Sequence, residues 1–138
     1  MSASVHLALP FVLPSLEHLL TIDDRLRSTP FLRYSNGTFT LTTQFGASAS
    51  VTFNGTDVWI FGAKRGNHAP YNTTLDGSQS NDNGYSSVDR FQQVLFHQPN
   101  LTSGSHTVSI ADSVQDSGKP YLDIDWVRLG LASFVSFW

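Results

Sequence analysis

Residues 62–71, Gly-Ala-Lys-Arg-Gly-Asn-His-Ala-Pro-Tyr, hold the densest set of polar functional groups in the chain. Lys64, Arg65, Asn67 and His68 offer hydrogen-bonding groups of the kind that meet sugar hydroxyls. Tyr71, and Tyr85 in the polar stretch that follows, add flat faces on which a sugar ring can stack at small entropic cost. The plainer reading is a solvated loop with Tyr71 in the core. Asp123 and Asp125 lie two apart in a strand-like run, so both are expected on one face. They read either as a cation ligand set or as strand-end acids bound to backbone and water. Asn36-Gly-Thr, Asn54-Gly-Thr, Asn72-Thr-Thr and Asn100-Leu-Thr fit the N-glycosylation acceptor pattern. Composition alone predicts about 1.5 such matches, so four is an excess, and glycans point to an extracellular chain.

Catalytic signatures fail on inspection. Gly46-Ala-Ser-Ala-Ser50 lacks the final glycine of a nucleophile elbow and opens a strand instead of a helix. The five histidines are scattered, without a zinc-ligand pair. Glu17 is the only glutamate, so a glycosidase pair would need two aspartates. Residues 79–90 carry Gln79 and Arg90 where a calcium loop requires acids. With no cysteine, disulfides and thiolate chemistry are excluded. A net charge of −3 argues against a nucleic-acid partner, and no apolar run is long enough for a membrane span. The chain therefore reads as non-enzymatic.

The elements that must position these residues are strands. Residues 38–44, 47–53, 57–61, 71–75, 91–97, 105–111 and 121–129 alternate or are rich in β-branched and aromatic residues. Asn54-Gly55 predicts a hairpin with a type I′ turn, and Asp76-Gly77 closes another strand before a polar loop over 78–89. Seven or eight short strands in one 138-residue chain predict an all-β, antiparallel jelly-roll sandwich over 34–130. Its expected core includes Val51, Phe53, Val58, Ile60, Leu75, Val94, Phe96, Val108, Ile110, Ile124 and Trp126, and Trp59 also reads as core. Residues 1–33 read as an irregular or helical N-terminal arm, or an incomplete first strand, not as a secretory signal: Pro10 and Pro14 break the apolar run and no basic residue precedes Arg25. Residues 131–138 form an apolar tail.

Several stretches together resemble a known family. Residues 44–62, Gly66-Asn-His-Ala-Pro-Tyr71, Leu75-Asp-Gly77, Phe91-Gln-Gln-Val-Leu-Phe96, His106-Thr-Val108 and Leu122-Asp-Ile-Asp-Trp126 are similar to stretches of mushroom-type fungal extracellular proteins with galactose-binding-like jelly-roll domains. The resemblance covers about residues 34–129 and implies an extracellular or cell-surface location. The wider superfamily includes calcium-containing carbohydrate-binding modules, in which an acid of the last strand joins acids near the first strand around a structural calcium. By that resemblance Asp125, with Asp23 or Asp24, would hold a calcium, with Asp123 as second choice. The expected function is a non-catalytic recognition module for a glycan or cell-wall polysaccharide. A structural or adhesion module with a protein partner is the alternative, and a hydrolase with Asp or His at the sandwich rim a further one.

Overall fold

The computed structural model of the chain describes residues 2–5, 33–34, 39–114 and 118–130. The described residues form antiparallel β-structure: β1 (Ser2–Val5), β2 (Thr40–Thr42), β3 (Ser48–Asn54), β4 (Asp57–Lys64), β5 (Pro70–Leu75), β6 (Ser78–Asn83), β7 (Arg90–Gln98), β8 (Ser105–Asp112), β9 (Leu122–Ile124) and β10 (Trp126–Gly130). One sheet has the order β1-β10-β4-β7 and the other β3-β8-β5-β6, with β2-β9 as a short third pair. Apart from the β5–β6 hairpin, strands adjacent in sequence lie in different sheets, as in a jelly roll.

Both sheets bury alternate residues between them. Ala49, Phe53, Tyr71, Val108 and Ile110 from one side meet Val58, Ile60, Leu95, Val127 and Leu129 from the other, and Leu122 and Ile124 of β9 complete the core. The period-two burial of β8, with His106, Val108, Ile110 and Asp112 inward, is what its sequence alternation predicts. Its outward residues Ser105, Thr107 and Ser109 pair with Asn54, Thr52 and Ser50 of β3, and the Thr52 and Thr107 hydroxyls lie 2.9 Å apart.

Three sequence expectations are corrected. Asn54-Gly55 closes no hairpin, because β3 pairs with β8 while β4 pairs with β10 and β7. The glycine is needed for close approach instead: a Cβ at Gly55 would overlap the Gly130 carbonyl oxygen, which accepts the Thr56 N–H at 2.9 Å. The polar run after Asp76-Gly77 is a strand, β6, although all its residues are exposed. It forms because Asp76 and Gly77 both take positive φ, 47° and 86°, which makes the tight turn that returns the chain onto β5. Trp59, Trp126 and Val94 are not core. They lie on the outer face of the β10-β4-β7 sheet, where Trp126 stacks on Phe61 at 4.0 Å and Trp59 on His97 at 4.3 Å, with the Arg128 guanidinium 5.0 Å from the Trp59 ring. Val94 is 47% exposed. Residues 2–5, within the stretch read as an irregular or helical arm or an incomplete first strand, pair with β10 as β1.

A side-chain lock holds the β5–β6 turn to β8. His106 Nδ1 lies 2.5 Å from Asp76 Oδ2, and its Nε2 lies 2.7 Å from the Thr102 carbonyl oxygen. A carboxylate and a carbonyl only accept, so both ring nitrogens donate and the ring is an imidazolium. The bond to Asp76 is the main cause that raises His106 above its ordinary 6.5, and the bond from His106, with the Thr107 N–H, lowers Asp76 below 3.8. The lock therefore contributes fully between those two values. It fades as pH rises through the raised His106 pKa and as pH falls through the lowered Asp76 pKa. The Tm difference between the wild type and His106→Gln should be largest at pH 5–6 and narrow on either side, in thermal melts across pH 3–9. A difference that does not change with pH would show that the ring carries no charge.

Candidate functional site

At one end of the sandwich, β4 runs out at Lys64 and the chain loops through residues 65–69 into β5. β9 places Asp123 beneath this loop, and β2 lies across from it. Asp123 is 1% exposed, and donors reach both its oxygens. Oδ1 accepts the Ala63 N–H at 2.7 Å; Oδ2 accepts the Tyr34 hydroxyl at 2.6 Å and lies 2.8 Å from His68 Nε2. His68, also 1% exposed, has its Nδ1 2.9 Å from the Asn67 side-chain oxygen. Burial first, and then the Asp123 charge, push the Tyr34 phenol far up, so it remains a donor. The loop is tied down by backbone bonds from the Ala69 N–H to the Tyr121 carbonyl and from the Tyr121 N–H to the Asn67 carbonyl.

Above this network is a cavity of about 60 Å³ lined by Phe39, Leu41, Arg65, Asn67, His68, Tyr121 and Asp123. Phe39, Leu41 and Tyr121 provide apolar walls, while the other four provide fixed polar groups. This is the mixture by which small-ligand sites hold and orient what they bind. The volume suits a few waters or one hydroxyl-bearing edge of a sugar, not an enclosed ring. Both nitrogens of His68 are engaged, by Asp123 and Asn67, which leaves the imidazole no free nitrogen to activate a hydroxyl nucleophile.

The structure divides the sequence-derived candidates. Arg65, Asn67 and His68 line the cavity. Lys64, the last residue of β4, does not line it, and its Nζ lies 3.5 Å from Asp82. Tyr85 is 44% exposed, with the Lys119 ammonium 4.1 Å from its ring centroid. Tyr71 is a correction: it is fully buried, donates its hydroxyl to the Leu95 carbonyl at 2.7 Å, and has no face for a ligand. The alternation of β5 turns Tyr71 and Thr73 inward together.

The acids are corrected as well. The strand expected over 121–129 breaks at Asp125, whose N–H reaches the Phe61 carbonyl at 2.7 Å, and all of Leu122–Ile124 is buried. Asp123 and Asp125 therefore share no strand face. Asp123 fits a cation poorly, since donors already point at both its oxygens. Asp23 and Asp24 lie outside the described residues, and among those described no three His, Asp or Glu side chains converge as metal ligands. Of the sequons, Asn54 and Asn100 are exposed, Asn72 is half-buried on β5, and Asn36 lies outside the described residues.

Sequence reasoning missed Tyr34, Phe39, Leu41 and Tyr121, and left Asp123 between a second-choice cation ligand and a strand-end acid bound to backbone or water. The one local signal was an aromatic, Tyr121, directly before the Asp-bearing strand.

The chain matches no known protein family and no curated protein. Its fold is shared with solved structures. A two-domain esterase active on acetylated mannans superposes with a TM-score of 0.57 at 10% identity, over 67% of this chain and 27% of the esterase. The same kind of esterase co-crystallised with mannopentaose gives 0.53 at 10% identity, over 69% and 28%. The CBM36-1 domain of a multidomain xylanase from the hindgut metagenome of Trinervitermes trinervoides gives 0.42 at 20% identity, over 67% and 77%. The chain spans about a quarter of the esterase's length, and at such identity the likeness shows the fold alone. Among the described residues no helix is long and apolar enough to cross a membrane.

Proposed function

We propose that this chain is a non-catalytic extracellular recognition module that binds a polysaccharide at the rim cavity. The observation that carries the reading is the cavity itself: apolar walls from Phe39, Leu41 and Tyr121 around polar groups held rigid by the buried Asp123 network. A hydroxyl-bearing edge can enter it while the ring lies against Tyr121, an aromatic contact that orders few rotatable bonds. Affinity is weak, because a shallow site buries little ligand and sugar hydroxyls give up hydrogen bonds to water. The engaged nitrogens of His68 and the lack of catalytic motifs favour binding over hydrolysis. The resemblance to fungal extracellular jelly-roll domains and the four sequons support the location. That the fold also occurs in an esterase active on acetylated mannans makes mannans one reasonable ligand to try.

Calorimetric titration with acetylated mannan, xylan and pectic polysaccharides tests the reading. One of these should bind, with no release of acetate or reducing ends. Tyr121→Ala should weaken that binding by about tenfold or more, as for other aromatic contacts at the centre of a binding site. Failure of the whole panel, or turnover that depends on His68, would defeat it.

A further inference from the structure

The chain carries eight Lys and Arg in all and a net charge of −3, yet five of its cations gather at this rim. The Arg33 and Arg65 guanidiniums lie 5.4 and 5.5 Å from the same Phe91 ring. Lys64 and Arg90 stand directly opposite each other where β4 meets β7. Lys119 covers Tyr85, which bridges to Arg65. Two acids answer them by ion pairing among the described residues, Asp82 to Lys64 at 3.5 Å and Asp89 to Arg65 at 3.1 Å. The third acid, Asp123, is buried and committed to its own donors. The rim is thus positive on an acidic protein. Like charges set opposite each other on paired strands are destabilising, so the cluster works against the fold. An incoming anion would relieve that repulsion and gain charge-assisted hydrogen bonds from guanidinium groups.

We propose that the ligand of this rim is an acidic polysaccharide, its uronate carboxylates held by the Arg65, Arg90 and Lys119 side chains. This rests on the rim cavity being a glycan site. A sugar ring, and not anionic charge alone, is what the aromatic wall at Tyr121 and the exposed Tyr85 would recognise. Carboxylates spaced along a chain of rings suit cations spread across two strands and a loop.

The test compares polygalacturonate with the same polymer after methyl esterification, which removes the charge and keeps the rings. At low salt the acid form should bind the full chain roughly tenfold more tightly than the ester, the worth of one hydrogen bond to a charged group. That margin should shrink as salt is raised to ~0.3 M. Arg90→Gln and Lys119→Gln should each weaken the acid form several-fold and the ester form much less, so that the preference for the acid form falls. Arg128→Gln, which removes the same charge from the outer sheet face, should leave both unchanged. Equal binding of acid and ester would overturn the uronate assignment and keep the glycan site. Tighter binding of dextran sulfate or of single-stranded DNA, with displacement of polygalacturonate, would also overturn it. Failure of both pectic forms while mannan or xylan binds would overturn it in the same way. If no glycan binds, the cavity reading falls with it.

Discussion

Replacing Asp123 by Ala is expected to lower the unfolding free energy by about 3–5 kcal/mol, the usual loss when one partner of a buried charged network is removed. The carboxylate is 1% exposed, and Tyr34, Ala63 and His68 all direct donors at it. After truncation, three polar groups lose their shared partner in a buried setting. Asp123→Asn should be milder, because its amide oxygen can still accept, although its NH2 then faces a donor. Tyr34→Phe removes one hydrogen bond and should cost about 1 kcal/mol. Urea denaturation of the three variants reads the order directly. A loss below about 1 kcal/mol for Asp123→Ala would mean that the network is solvated and does not hold the cavity floor.

Gly62→Ala should be the second most damaging change, and its damage should reach the site. A Cβ at Gly62 would overlap the Asp123 carbonyl oxygen and come within 2.6 Å of Leu95 Cδ1. The first obstacle is backbone, so β4 must move away from β9. Forced overpacking of this kind costs about 1–3 kcal/mol and sometimes more. The next residue, Ala63, donates to Asp123 Oδ1, so the same shift strains the hydrogen bond that fixes the carboxylate. The expected result is lower urea resistance together with weakened glycan binding. Gly66→Ala serves as the contrast in the rim loop, where the nearest atom to an added Cβ is the Ser86 oxygen at 3.8 Å. It should be close to neutral. Equal stability of Gly62→Ala and wild type would mean that β4 and β9 do not lie in the close contact described here.

The all-β class and the strand positions were legible in the sequence, because both are local. Alternation over Ser105–Asp112 shows which residues share a face, and Asp76-Gly77 supplies a turn that needs two positive φ angles. What local pattern cannot carry is which strand becomes a neighbour and which face turns inward. Asn54-Gly55 has the composition of a hairpin turn, yet the residues that outcompete local pairing are Ser105–Asp112, some fifty positions on. The sequence of β4 alternates apolar with aromatic, so either set could face the core. The second sheet covers Val58 and Ile60, which leaves Trp59 and Phe61 to stack outside. β6 has no apolar pattern at all and is a strand only because the turn delivers it to β5, where the Thr73 and Ser80 hydroxyls meet at 2.8 Å. The cavity is the extreme case. Arg65, Asn67 and His68 are close in sequence and were found as one polar segment. Tyr34, Phe39, Leu41, Tyr121 and Asp123 come from chain regions roughly ninety residues apart, joined only where β2 pairs with β9 under the β4–β5 loop. The sequence determined the loop that carries the polar groups. Tertiary structure alone decided which carboxylate lies beneath it and which aromatics wall it, because those contacts arise from sheet pairing between segments far apart in the chain.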